Sequence, residues 1–207
     1  MCLAYDAYLR ENTLPSHVVY KYGAVMQCSW LPQCLQVQDI TSPAFAFIGI
    51  LPASGHVFVE LTEAKDEDTF IRCVGHMLFS VGGVARRIEV IHVRHKGPKR
   101  LKAGELAVGD KILGLGPHYG VSVRFEAQGE YLDNLSGRLA NLLEENGKPL
   151  PLQEAMRRVN YWISSWNKSS ASAFMEEQEY LIRLPATAYD VVSKHNTPLT
   201  VQKNSHV

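Results

Sequence analysis

The chain has 207 residues, 46% hydrophobic and 20% charged, an ordinary globular composition able to bury one sizeable core. Lysine plus arginine equals aspartate plus glutamate at 21 each, which excludes a global basic field, so any nucleic-acid surface has to be local. No apolar run reaches the ~18–20 residues of a membrane span, and Met1-Cys2-Leu3, followed by Asp6 and Arg10, does not read as a signal peptide; a membrane-free, cytoplasmic protein is expected.

Residues 1–34 have aromatic weight from Tyr5, Tyr8, Tyr20 and Tyr22 but no clean period, and are expected to form an N-terminal arm. The β-compatible stretch from Cys28 to Ile40 suggests a first strand around Leu35–Asp39. Thr41-Ser42-Pro43-Ala44 reads as a turn. Phe45–Leu51 is a nearly continuous apolar run, the mark of a strand buried on both faces. A turn at Pro52–Gly55 leads to His56–Leu61, which alternates as a third strand. The period then changes. Asp66 or Asp68 can cap a helix to about Ser80, with Phe70, Val74, Met77 and Leu78 at helical spacing and Gly82-Gly83 as the stop.

A fourth strand is expected over Arg87–Val93, followed by the basic turn Lys96–Arg100. A helical segment over Gly104–Leu115, a fifth strand at Val121–Phe125 and an amphipathic helix from Leu132 to about Gly147 complete this part. The order β-β-β-α-β-α-β-α implies an α/β fold with a mixed five-stranded sheet and helices on both faces, the order of the ribonuclease H-like fold. Residues 35–147 are expected to form that domain. Residues 148–207 then make a helical extension and tail, in which Trp162 and Trp166 share one helix face. The four cysteines, Cys2, Cys28, Cys34 and Cys73, contain no CxxC pair and point to free thiols.

Several stretches together resemble one family. FAFIGILPASGHVFVEL is similar to the strand pair of integrase-core transposases, in particular the IstA-like transposases that work with a helper ATPase. FSVGGVARRI resembles that family's F…GGVPRR junction, and His118-Tyr119-Gly120 matches its HYG before the fifth strand. FMEEQEYLIRLPATAYD is similar to its linker after the catalytic core, and TVQKNSHV to the start of the segment leading to its C-terminal barrel. The resemblance spans about residues 35–207 and implies a core in which three carboxylates hold two Mg²⁺ ions for DNA strand transfer.

Each of the three acid positions can be compared. Asp39, in LQVQD, stands where the family has its first acid and would be a remnant ligand; its other reading is a turn aspartate. Counting from Arg86-Arg87 places Ile91 at the second acid and His92 at the neighbouring asparagine. Isoleucine cannot ligate a metal, and imidazole suits softer ions than Mg²⁺. Counting from HYG places Arg138 at the third, a positive charge where a dication belongs, while Asp133 is retained. Ile91 and Arg138 are thus degenerate positions, and no metal or cofactor is expected.

What the resemblance implies is therefore a catalytically inactive transposase-like or integrase-core-like protein that acts by binding DNA or a protein partner of mobile-element or phage machinery. Arg86, Arg87, Arg94, Lys96, Lys99, Arg100 and Lys102 are the candidate contacts. Two alternatives stay open. One is an active Mg²⁺-dependent transposase or nuclease that uses Asp39 with Glu126, Glu130 or Asp133. The other is a stand-alone protein inhibitor or regulator. A homo-oligomer is compatible with each.

Overall fold

A computed structural model of the chain describes residues 19–31, 45–94, 106–107, 110–145 and 148–189. Its centre is a five-stranded sheet. Strand β1 (Val25–Trp30) is flanked by the antiparallel pair β2 (Phe45–Leu51) and β3 (His56–Thr62) on one side. On the other side lie β4 (Arg87–Ile91) and β7 (Ser122–Glu126), both parallel in sense to β1, giving the order β3-β2-β1-β4-β7. Three antiparallel strands followed by two parallel ones, joined through helices, is the ribonuclease H-like arrangement expected from the order of elements.

The helix α1 (Glu67–Val81) crosses one face. Its start is set by Asp66, whose carboxylate accepts from the Thr69 N–H at 2.7 Å. That bond is also the main reason the Asp66 carboxyl is held below its usual range. Its end is set by Gly82 at φ 78°, whose N–H bonds back to the Leu78 carbonyl at 3.0 Å; a side chain there would be strained. Under α1 the core is aromatic. Phe47 meets Trp30 and Phe70 edge-on, with centroids 5.8 and 5.5 Å apart, pairs worth about 0.5–1.5 kcal/mol each beyond burial.

The opposite face is covered by α4 (Glu130–Leu142), through Leu132, Leu135 and Leu139, and by α5 (Leu152–Ser169), through Ala155, Val159 and Trp166. Between β4 and β7 run the short pair β5 (Val93–Arg94) and β6 (Leu106–Ala107), then the short helices α2 (Asp110–Leu113) and α3 (Leu115–Tyr119). A small ribbon, β8 (Glu144–Glu145) with β9 (Lys148–Pro149), links α4 to α5, and α6 (Ala171–Gln178) follows.

Three expectations are corrected. The central strand is Val25–Trp30, inside the segment read as an arm, while Leu35–Asp39 lies outside the described residues. All six residues of β1 are buried; Gln27 and Ser29 are polar, so the stretch did not read as a strand enclosed on both faces. The fourth strand breaks at His92, and Val93–Arg94 pairs with Leu106–Ala107 instead of extending β4. The expected Gly104–Leu115 helix is a strand residue pair and two short helices, divided at Gly114. The helical extension packs on the sheet. Trp166 Nε1 donates to the Gly55 carbonyl at 2.8 Å, and Ile182 bridges to Val84.

Candidate functional site at the tips of the central strands

The α4-facing side of β1 and β4 carries a row of polar side chains. Residues two apart in a strand share a face, so Gln27 and Ser29 alternate with the core residues Met26, Cys28 and Trp30. Gln27 stands opposite Glu89 in the parallel register, and its Nε2 donates to Glu89 Oε2 at 2.9 Å. Arg87, two residues before Glu89, donates from Nε to Oε1 at 2.9 Å. Gln27 also reaches the Tyr20 hydroxyl at 3.3 Å. Burial, and next the Glu89 charge, push the Tyr20 phenol up. Glu89 is thus a buried carboxylate already satisfied by a guanidinium and an amide.

Farther along the same face is the tip where β1 and β4 end. Ser29 Oγ donates to the Ile91 carbonyl at 2.9 Å and lies 3.1 Å from His92 Nδ1. His92 Nε2 in turn lies 2.7 Å from Asp133 Oδ1 on the first turn of α4. The other oxygen of Asp133 accepts from the Gly129 N–H at 3.3 Å, at the start of that helix. His92 adopts φ 60°, a left-handed conformation that is uncommon for a residue with a side chain. That twist ends β4 and turns the imidazole towards α4.

The result is a serine–histidine–aspartate chain joining β1, β4 and α4. It does not have the properties of a hydrolytic triad. Ser29 is 1% exposed, and its hydroxyl proton is directed at a backbone carbonyl, so no substrate carbonyl can meet the oxygen. Its chemistry is that of a latch.

Ile91 and Asp133 are both found at this tip. Ile91 is 1% exposed and packs into the α4-side core, where a methyl added to Gly129 would stand 3.0 Å from its Cγ1. Arg138 turns towards α5: its Nε donates to Asn134 at 2.9 Å, and its guanidinium lies 5.5 Å from the Trp166 ring centroid. Asp39 lies outside the described residues. Two Mg²⁺ ions require several hard carboxylate oxygens. Among the described residues, no three His, Cys, Asp or Glu side chains converge on one point. Ser29, Ile91, His92 and a histidine-bound Asp133 do not fit a two-metal centre.

The basic segment is distributed rather than gathered. Arg86 is exposed at the start of β4, and Arg87 is half-buried against Glu89. Arg94 belongs to β5, beyond the other end of β4. At ~3.3 Å per residue, β4 separates its two ends by roughly 15 Å. Lys96, Lys99, Arg100 and Lys102 lie outside the described residues.

No protein-family model matches the chain, and no curated protein sequence does. Solved structures do resemble it. One is the HTLV-2 integrase catalytic core domain in complex with magnesium, in its dimeric form, at 13% identity and TM-score 0.43 over 75% of this chain and 83% of that one. The trimeric form gives 12% identity and TM-score 0.44 over 78% and 86%. A third is the simian T-cell lymphotropic virus intasome in complex with PP2A regulatory subunit B56 gamma, solved by cryo-EM, at 10% identity and TM-score 0.43 over 94% and 63%. The IstA-like resemblance rests on the sequence motifs alone.

Ser29 and His92 are the tip residues whose partnership the sequence did not disclose. The available signal was AVMQCSWL (24–31), a run of strand formers with small or amide-bearing polar residues at alternate positions. Such residues are tolerated inside when a neighbouring strand supplies hydrogen-bond partners.

Proposed function

We propose that this chain is an integrase-core-like protein that does not perform two-metal strand transfer and acts by binding DNA. The observation carrying this reading is at the tip of the central strands. A buried Ile91 and the Ser29–His92–Asp133 latch fill that tip, where the family resemblance implies carboxylates would gather. DNA is proposed as the partner because Arg94, Lys96, Lys99, Arg100 and Lys102 follow the tip in sequence without an intervening acid.

The test has two arms. Incubation with linear duplex DNA in Mg²⁺ or Mn²⁺ is expected to give neither cleavage nor strand transfer. Metal-dependent activity that disappears in Asp39→Ala or Asp133→Ala would overturn the reading. In the second arm, duplex affinity is measured at rising salt. Combined Arg94→Glu, Lys99→Glu and Arg100→Glu is expected to weaken binding and flatten its salt dependence by about 0.9 in log–log slope for each phosphate no longer neutralised. Duplex binding indifferent to salt and to these changes would remove DNA as the partner.

A further inference from the structure

A cleft of about 500 Å³ opens at the other end of the central strands, lined by Tyr20, Lys21, Tyr22, Ala24, Arg86 and Tyr180. It lies at the starts of β1 and β4, whereas the latch lies at their ends. With ~3.3 Å per residue along β1, the two are separated by roughly 15 Å of strand. We propose that this cleft binds a nucleotide unit of single-stranded nucleic acid, the base against tyrosine and the phosphate on Lys21 and Arg86.

The walls are held in place by interactions that owe nothing to a ligand. The Arg86 N–H bonds to the Gly23 carbonyl at 2.9 Å, and the Ala24 N–H to the Lys21 carbonyl at 3.1 Å. Gly23, at φ 65°, is pressed against Tyr180 so closely that a methyl group there would stand 2.4 Å from the Tyr180 carbonyl oxygen. Tyr20 is braced by an edge contact to Tyr131, with centroids 5.5 Å apart, and Tyr22 by Tyr180 at 6.1 Å. A site built this way loses little conformational entropy on binding.

Its chemistry selects the ligand. Tyr180 is 58% exposed, a large aromatic face left to solvent. Lys21 and Arg86 are exposed, and among the described residues neither has an ion-pair partner. Stacking faces beside unpaired cations are the combination that single-stranded nucleic acid uses. An acidic peptide would satisfy the cations and leave the tyrosines idle. The volume lies within the range of small-ligand pockets. The inference does not depend on duplex binding through the residues after β4.

The experiment is fluorescence anisotropy of an end-labelled ten-nucleotide oligothymidylate with the full chain, thymidine monophosphate serving as competitor. Tyr180→Ala is expected to weaken binding about tenfold, the effect typical of one stacked base. Tyr180→Phe, which keeps the stacking face, is expected to bind as the parent does. Lys21→Gln combined with Arg86→Gln is expected to lower the log–log salt slope by about 0.7, the value for the one single-strand phosphate they share. Competition by the mononucleotide assigns a free nucleotide as sufficient; its failure with retained oligonucleotide binding assigns a strand. Absence of oligonucleotide binding would overturn the inference. So would binding insensitive to both sets of cleft substitutions, or equal displacement by oligoglutamate.

Discussion

The imidazole of His56 lies flat on the Phe174 ring, with 3.6 Å between centroids and 12° between planes. Its Nδ1 is buried without a hydrogen-bond partner among the described residues, and burial pushes the ring's pKa down from 6.5 to about 4. The unfolded chain takes up a proton as pH falls through 6.5, but the native ring does so only near 4. Stability from this residue is therefore complete above pH 6.5 and is lost as pH falls towards 4. The loss should be on the order of 2 kcal/mol, discounted because the ring is partly exposed. Urea denaturation of wild type and His56→Phe at pH 7.5 and 4.5 measures it: the variant should show a distinctly smaller loss. Ile91 offers a second residue-scale outcome. Ile91→Asp places a carboxylate in an apolar pocket and should cost about 3–5 kcal/mol, read from the urea midpoint, without conferring Mg²⁺-dependent nuclease activity. A variant as stable as wild type that cuts DNA would mean the site lacked only its acid.

At the scale of elements, two side chains tie the C-terminal helices to the sheet. Asn167 on α5 offers its amide to the outer edge of β3, accepting from the Val57 N–H at 2.9 Å and donating to the Val57 carbonyl at 2.8 Å. It acts there as one residue of an additional strand and covers an edge that would otherwise template aggregation. Glu177 on α6 is 0% exposed, and its two oxygens accept from the Gly23 N–H at 3.1 Å and the Ser54 N–H at 3.0 Å. Glu177→Ala leaves two buried amides unsatisfied and should cost about 2–4 kcal/mol. Amide hydrogen exchange should accelerate at Gly23 and Ser54 more than in α1. The elements carrying strong local signals were legible from sequence. FAFIGIL needed no partner to be read as a strand, and the Asp66 cap and Gly82 stop bracket α1. Strand β1 was not legible, because Gln27 and Ser29 read as polar until Glu89, Ile91 and His92 satisfy them from the neighbouring strand.

Across the whole molecule, residues after 147 complete the domain. Helix α5 fills the α4-side core with Ala155, Val159 and Trp166, and α6 reaches back to the starts of β1 and β3. A chain ended at Gly147 would uncover that face and leave the Gly23 and Ser54 amides without their acceptor. It should lose cooperative unfolding, seen as a broadened thermal transition and binding of a hydrophobic dye; a sharp, unshifted transition would make the extension dispensable. Among the described residues, no helix is long and apolar enough to cross a membrane.

The sequence by itself determined the mixed α/β order and the hairpin, because period and turn chemistry are local and survive in any context. It also places Ile91 four residues after the paired arginines, where the family resemblance implies an acid. Only the tertiary structure decided that Val25–Trp30 is the central strand. It also decided that Asp133 is bound by His92 while Arg138 turns to Trp166, and that Arg86 stands at the opposite end of the sheet from Arg94. Those facts depend on what each side chain meets across the sheet, and spacing along the chain carries no information about a partner sixty residues away.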